Sequence, residues 1–144
     1  MMTLIDSIEI KTAPEKIEEW FKNLDKHYLE WHSDHVKWVN ETGGMDEGDI
    51  FYFEEYLHGK LHKIRSKITK IEKNKRIEYN NLFPTSIICP KGSFIIEPKG
   101  ESCIFTATLY LRFGWLISKF AKNRIESVKT HVKEEGENLK KLLE

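Results

Sequence analysis

Residues 116–143 form the stretch LISKFAKNRIESVKTHVKEEGENLKKLL, which decides the fold that the sequence predicts. Apolar side chains recur in it every three or four residues, a spacing that predicts one amphipathic helix from Leu116 to Leu143. Gly136 is the only weak helix former within this span. The apolar stripe consists of Ile125, Val128, Val132, Leu139 and Leu142. A single amphipathic helix has to bury such a stripe against another layer of structure.

The chain before this helix alternates apolar and polar side chains with a period of two, which is typical of strands. His58-Gly59 and Lys73-Asn74-Lys75 are turn signals, and connections this short make neighbouring strands antiparallel. We predict strands over 3–10, 49–57, 60–72, 76–81, 92–97 and 102–112. Residues 83–90 are left open as a further strand because two prolines interrupt them.

Two short helices are predicted between the first and second of these strands. Thr12 is the expected N-cap of the first helix, with Pro14 in its first turn, and this helix runs to about Leu24. The second helix is predicted over 25–31. The order of elements predicts an α+β chain of the helix-grip type, with a curved antiparallel sheet of six to seven strands around a long C-terminal helix. We expect one domain over 1–144, with a cavity between sheet and helix.

The composition of the chain argues against several classes of function. The chain has 144 residues, with 23 basic and 23 acidic side chains, so it lacks the basic excess that is typical of nucleic-acid binders. No apolar run reaches about 18 residues, so we expect no membrane span, and the N-terminus has no signal-peptide pattern. Cys89 and Cys103 are too few for a disulfide framework, so we expect two buried thiols and a cytoplasmic protein.

The C-terminal helix carries a candidate pair for metal binding. His131 and Glu135 are four residues apart, so their side chains lie one turn apart on the same face, within or beside the apolar stripe. An imidazole nitrogen and a carboxylate oxygen at this spacing can bind one cation. The alternative is that the two side chains only bond to each other.

A candidate carboxylate lies on the strand over 49–57. Phe51, Phe53 and Glu55 share one face of this strand, and the apolar residues on that face should point inward. A buried carboxylate is costly unless it is paired or binds a cation. The alternatives are a partner such as Arg124, or a register that turns Glu54 inward instead.

The segment Trp31-His32-Ser33-Asp34-His35 adds two histidines and an acid that could orient an imidazole. His32, Glu55, His131 and Glu135 would together provide the ligands of a divalent ion, with zinc first and iron or manganese possible. His35 is then the candidate for catalytic proton transfer near neutral pH. The alternative is that His35 is the ligand and His32 is the outer histidine.

The order of elements resembles the START/Bet v 1-like superfamily, also called SRPBCC or polyketide cyclase domains, whose sheet and long helix enclose an apolar ligand cavity. The Trp-His segment, the glutamate in a Phe-rich strand and the late His-x-x-x-Glu resemble the diacetylphloroglucinol hydrolase family. That resemblance implies a zinc ion held by His and Glu side chains, and hydrolysis of a carbon–carbon bond next to a ketone. The matching positions are His32, Glu55, His131 and Glu135, and this chain is shorter than those hydrolases.

Two functions follow from the sequence. The first is a metal-dependent hydrolase that acts on a ketone or polyketide-like small molecule in an apolar cavity. The second is a metal-free binding or carrier protein for an apolar or aromatic small molecule or a lipid. In both, we expect the larger aromatic side chains to form the core and the cavity wall: Trp20, Trp31, Trp38, Phe51, Phe53, Phe94, Phe105, Trp115 and Phe120. We expect His27, His58 and His62 at the surface.

Overall fold

The computed structural model describes residues 2–112 and 122–144. In chain order the elements are β1 (Met2–Ile10), α1 (Pro14–Lys22), α2 (Leu24–Trp31), β2 (His35–Asn40), β3 (Ile50–Leu57), β4 (Lys60–Glu72), β5 (Arg76–Asn81), a 3₁₀ turn (Thr85–Ile87), β6 (Lys91–Lys99), β7 (Ser102–Leu111) and α3 (Lys122–Leu143). The first turns of the predicted C-terminal helix, 116–121, lie outside the described residues, as do Trp115 and Phe120.

The seven strands form one antiparallel sheet in the order β1-β7-β6-β5-β4-β3-β2. Each hairpin pairs consecutive strands, and β1 completes the sheet by pairing along β7 from Met2–Leu111 to Ile10–Cys103. The sheet curves around α3, with α1 and α2 following β1. The predicted helix-grip architecture is therefore confirmed, and the end of α3 lies beside the end of β1, where Glu144 accepts the backbone N–H of Lys11.

The seventh strand is β2, and it is not in the segment that the sequence left open. His35–Asn40 pairs with β3 at the edge of the sheet, and Val36 and Val39 on it are exposed. An edge strand with exposed apolar side chains loses the in–out alternation that marks other strands. Residues 83–90 instead contain the 3₁₀ turn, since Pro84 and Pro90 remove ladder donors.

The predicted cap of α1 is wrong by one residue. Ala13 is the N-cap and makes no side-chain cap bond, while the backbone N–H of Thr12 donates to the Ile10 carbonyl. Pro14 occupies the start of the helix and has no N–H to satisfy, which reduces the need for a capping side chain.

Helix α3 packs on the sheet through Ile125, Val132 and Leu139, and Leu139 is completely buried. Leu142 points outward at 40% exposure, whereas Leu143, four residues after Leu139, packs against the core. The sequence assigned Leu142 to the stripe, so the last turn differs from that prediction. A side chain at Gly136 would contact Asp6 and Ile8 of β1, so this glycine allows the close approach of helix and sheet.

A cavity of about 500 Å³ lies between the sheet, α2 and α3. Most of its wall is apolar or aromatic, including Phe21, Trp31, Trp38, Phe51, Phe53 and Phe94. The predicted aromatic lining is thus found for these described residues, while Trp20 and Phe105 belong to the packed core. None of the helices within 2–112 and 122–144 is long and apolar enough to cross a membrane.

Candidate metal centre

Helix α3 supplies two polar side chains to one end of the cavity. His131 is 5% exposed, and its Nε2 lies 3.4 Å from Oε2 of Glu135, one turn further along the helix. Both residues line the cavity beside Val132. As the spacing of four residues predicts, both side chains lie on the inner face of α3.

Strand β3 supplies Glu55, which is 8% exposed. Its Oε2 lies 3.3 Å from Nε2 of His131. Glu54 is on the other face of the strand, where its carboxylate accepts a hydrogen bond from the Tyr52 hydroxyl. Burial of Phe51 on the inner face fixes this alternation, so Glu55 is the inner carboxylate and Glu54 the outer one.

Strand β2 supplies the remaining member, His35, which is its first residue. Its Nε2 lies 2.9 Å from Oε2 of Glu135, 3.4 Å from Oε2 of Glu55 and 3.4 Å from Nε2 of His131. Its Nδ1 donates to the Tyr28 carbonyl over 2.7 Å, because a carbonyl can only accept. The other ring nitrogen, Nε2, therefore faces the other three side chains.

His32 lies next to this group but faces away from it. Its Nδ1 accepts the backbone N–H of Asp34 at 2.9 Å, so Nε2 carries the proton and donates to Glu134 at 3.2 Å. The His32 ring lies beside that of His131, with centroids 4.3 Å apart and planes tilted by 39°. Of the predicted site residues, the structure brings together His35, Glu55, His131 and Glu135, which we call the inner cluster. It leaves His32 outside, as in the alternative that the sequence kept open.

The spacing of the inner cluster suits one small divalent ion. Five of the six separations between its ligand atoms run from 2.9 to 3.4 Å, and the sixth, between the two carboxylates, is within 4.8 Å. A tetrahedral site with bonds of about 2.0–2.2 Å to nitrogen and oxygen has ligand–ligand separations of about 3.3–3.6 Å. Two imidazoles and two carboxylates are also a donor set that zinc, iron and manganese accept. The residues present therefore fit the ion that the sequence resemblance implies.

The electrostatics of the cluster favour a cation at its centre. Burial lowers the pKa of His131, but hydrogen bonds and charge from Glu135 and Glu55 outweigh it and raise that pKa to about 10. Burial alone would raise the pKa of Glu135, but the contacts with His131 and His35 have the larger effect. The pKa of Glu135 therefore lies below its ordinary value of 4.5. A proton on His131 thus offsets part of the buried negative charge, and a metal ion would take over that role.

Sequence reasoning missed Tyr28, which supports two members of the cluster. Its hydroxyl donates to Oε2 of Glu55 at 2.8 Å, and burial, with the charge of Glu55, raises the pKa of the phenol so that it stays protonated. The available signal was its helical spacing from Leu24 and Trp31, which indicates only a buried face. Trp31 also connects α2 to α3, because its indole N–H donates to the Glu135 backbone carbonyl at 2.9 Å.

Solved structures share this architecture. Ara h 8.0201 matches with a TM-score of 0.70 at 14% identity, over 99% of this chain and 97% of that one. The polyketide cyclase-like protein Cgl2372 of Corynebacterium glutamicum gives 0.60 at 18% identity, over 98% and 90%. The di-domain ARO/CYC protein BexL gives 0.73 at 13% identity, over 99% of this chain and 50% of that one.

No family model and no curated protein matches the sequence. Likeness at these levels of identity establishes the fold, and the chain has the Bet v 1-like helix-grip fold. Fold alone does not assign an activity, because function depends on the site.

Proposed function

We propose that this protein is a metal-dependent hydrolase of the Bet v 1-like superfamily that acts on a ketone or polyketide-like small molecule. The observation that carries the proposal is the convergence of His35, Glu55, His131 and Glu135 at the polar end of an apolar cavity. Hydrolysis of a carbon–carbon bond next to the ketone is the reaction that we propose, in line with the resemblance of these residues to the diacetylphloroglucinol hydrolases.

Under this proposal the inner cluster holds one divalent ion, zinc first and iron or manganese as alternatives. His35 is a ligand and His32 is not, because only His35 directs a free ring nitrogen at the cluster. An ion held by these four side chains would supply Lewis acidity, provided that a fifth coordination position is open to a ketone oxygen or a water molecule. The proton-transfer role predicted for His35 would then be lost, because its Nε2 would be a ligand.

The remaining side chains hold the reacting groups and exclude bulk water. Tyr28 fixes the Glu55 carboxylate through its hydroxyl and fixes the His35 ring through its carbonyl. The aromatic wall around Trp38 and Phe53 binds the apolar body of the substrate and leaves its ketone at the cluster. Low polarity around the cluster strengthens each charge interaction in it.

A second candidate function is a metal-free carrier of an apolar small molecule. The cavity favours it by its size, about 500 Å³, and by its predominantly apolar wall. In this case the inner cluster is a buried hydrogen-bonded network in which protonated His131 neutralises a carboxylate. The two functions differ in whether metal binds and whether ketone substrates are cleaved.

The deciding experiment measures metal content and ketone hydrolysis on untagged protein. We expect one equivalent of zinc, iron or manganese after loading, cleavage of some members of a panel of acyl ketones, and loss of cleavage with chelator. His131→Ala should lose metal while keeping the far-UV circular dichroism of the fold. His58→Asn is the matched control and should keep metal, because His58 is an exposed histidine in the turn between β3 and β4.

Protein that cannot be loaded with any of these metals would refute the hydrolase. If that protein still binds an apolar fluorescent probe in the cavity, the carrier function is the one supported. A His131→Ala variant with unchanged metal content would show that the cluster is not the binding site.

A further inference from the structure

His131 has a second ring nitrogen, and it lies on the far side of the ring from the cavity. Nε2 faces the inner cluster, and Nδ1 is buried without a hydrogen-bond partner among the described residues. Buried polar atoms are nearly always paired, so an unpaired one in a 5% exposed side chain calls for a partner.

Nδ1 faces an outer pocket of about 330 Å³, lined in part by Asp34, Glu126 and Glu134. Asp34 places its Oδ2 3.9 Å from Nδ1 of His131. That separation is too long for a direct hydrogen bond, but a small rotation of the half-exposed carboxylate or one bridging water closes it. The other nearby imidazole, His32, has its Nδ1 occupied by the Asp34 backbone N–H.

The backbone of Asp34 is firmly held. Its N–H donates to Nδ1 of His32, its carbonyl accepts the N–H of Tyr56 at 2.9 Å, and His35 closes the turn by donating to the His32 carbonyl at 3.1 Å. One short turn between α2 and β2 therefore presents His35 to the inner cluster and Asp34 to the back of His131.

We propose that Asp34 is a positioning residue that accepts the Nδ1–H of His131 from the outer pocket and so aims Nε2 at the cation of the inner cluster. This inference rests on the proposed metal site and deepens it. Carboxylates that accept the second ring N–H of a metal-binding histidine fix its tautomer and orientation and raise its basicity. Asp34 does not line the cavity, and His131 is the member of the inner cluster that its carboxylate approaches, so it acts through His131.

The first test is zinc affinity by competition with a chromophoric chelator. Asp34→Ala should weaken zinc binding by about 10–100-fold, and Asp34→Asn, whose amide oxygen still accepts, should weaken it less. Glu126→Gln is the matched control, since it removes one exposed charge from the same pocket and should change affinity by less than about twofold. Zinc affinity of Asp34→Ala within about twofold of the parent would overturn the inference.

The second test needs no metal. In metal-free protein with ¹⁵N-labelled histidine, the His131 Nδ1–H signal, assigned from its loss in His131→Asn, should be protected from solvent exchange. Asp34→Ala should lose this protection, and Asp34→Asn should restore part of it. If the parent protein binds no zinc, the proposed function fails and this measurement alone decides the role of Asp34. Equal protection in the parent and Asp34→Ala would show that Asp34 does not hold the ring.

Discussion

The imidazole of His35 lies flat on the phenol ring of Tyr28, with centroids 3.8 Å apart and planes 5° from parallel. The same tyrosine accepts the His35 Nδ1–H with its carbonyl and donates its hydroxyl to Glu55. One residue of α2 thus fixes the orientation of an imidazole from β2 and a carboxylate from β3. Preorganised ligands bind a cation more tightly, because their side chains lose less conformational entropy on binding.

Tyr28→Phe should therefore weaken metal binding while preserving the stacked ring. The variant removes the hydrogen bond to Glu55, and we expect a loss of about tenfold in zinc affinity, the lower end of what an orienting partner contributes. Tyr52→Phe is a matched control, because Tyr52 donates to Glu54 on the opposite face of the sheet. Competition titration measures both, and an equal effect of the two variants would contradict the role of Tyr28.

The stability of the metal-free protein should fall between pH 6.5 and 10. The folded-state pKa of His131, about 10, lies above the ordinary value of 6.5, so its contribution is fully present below pH 6.5 and is lost as pH rises through 10. The folded-state pKa of Glu135 lies below 4.5, so its contribution is present above pH 4.5 and is lost as pH falls. Urea unfolding across this range checks the slope, which His131→Gln should flatten. A parent slope equal to that of the variant would contradict it.

Gly92→Ala should push Tyr79 into the cavity. The two residues are paired across β5 and β6, and a methyl group at Gly92 would overlap the end of the Tyr79 ring. We expect a destabilisation of about 1–3 kcal/mol in urea unfolding, with weaker binding of an apolar probe. Adding Tyr79→Leu should recover much of the loss, since the clash is then removed. Additive effects in this double-mutant cycle would show that the two sites do not interact.

Leu139→Ala should destabilise the fold much more than Leu142→Ala, because Leu139 is in the core and Leu142 is at the surface of α3. Leu139 is fully buried between helix and sheet, so its truncation should cost about 2–5 kcal/mol of unfolding free energy. Leu142→Ala, three residues on and 40% exposed, should cost less than about 0.5 kcal/mol. Thermal or urea unfolding of the two variants measures the difference, and similar costs would contradict the packing described for the last turns of α3.

The parts of the site that follow local periodicity could be predicted from sequence. His131 and Glu135 follow from helical spacing, and Glu55 follows from period-two alternation with Phe51 and Phe53 on a strand with clear hairpin partners. The same periodicities predicted the order of the other elements but not β2, and with that order they predicted the sheet wrapped around a long helix.

The choice between His32 and His35 could not be predicted in this way. It depends on where α2 ends and β2 begins, and the three residues 32–34 between them form a turn with no periodic pattern. A shift of one residue in the start of β2 would turn His35 to the other face of the sheet. Tyr28 was hidden for another reason: on a short amphipathic helix a buried tyrosine has the same spacing whether its hydroxyl is structural or supports a site.

The proposed function depends on one divalent ion held by His35, Glu55, His131 and Glu135. Anomalous diffraction at the zinc absorption edge, on crystals of zinc-loaded protein, would locate that ion. We expect one peak inside the cluster, about 2.0–2.2 Å from Nε2 of both histidines and from an oxygen of both glutamates. A peak at His32 with Glu134, a peak only at exposed histidines, or no peak in the cluster would contradict it.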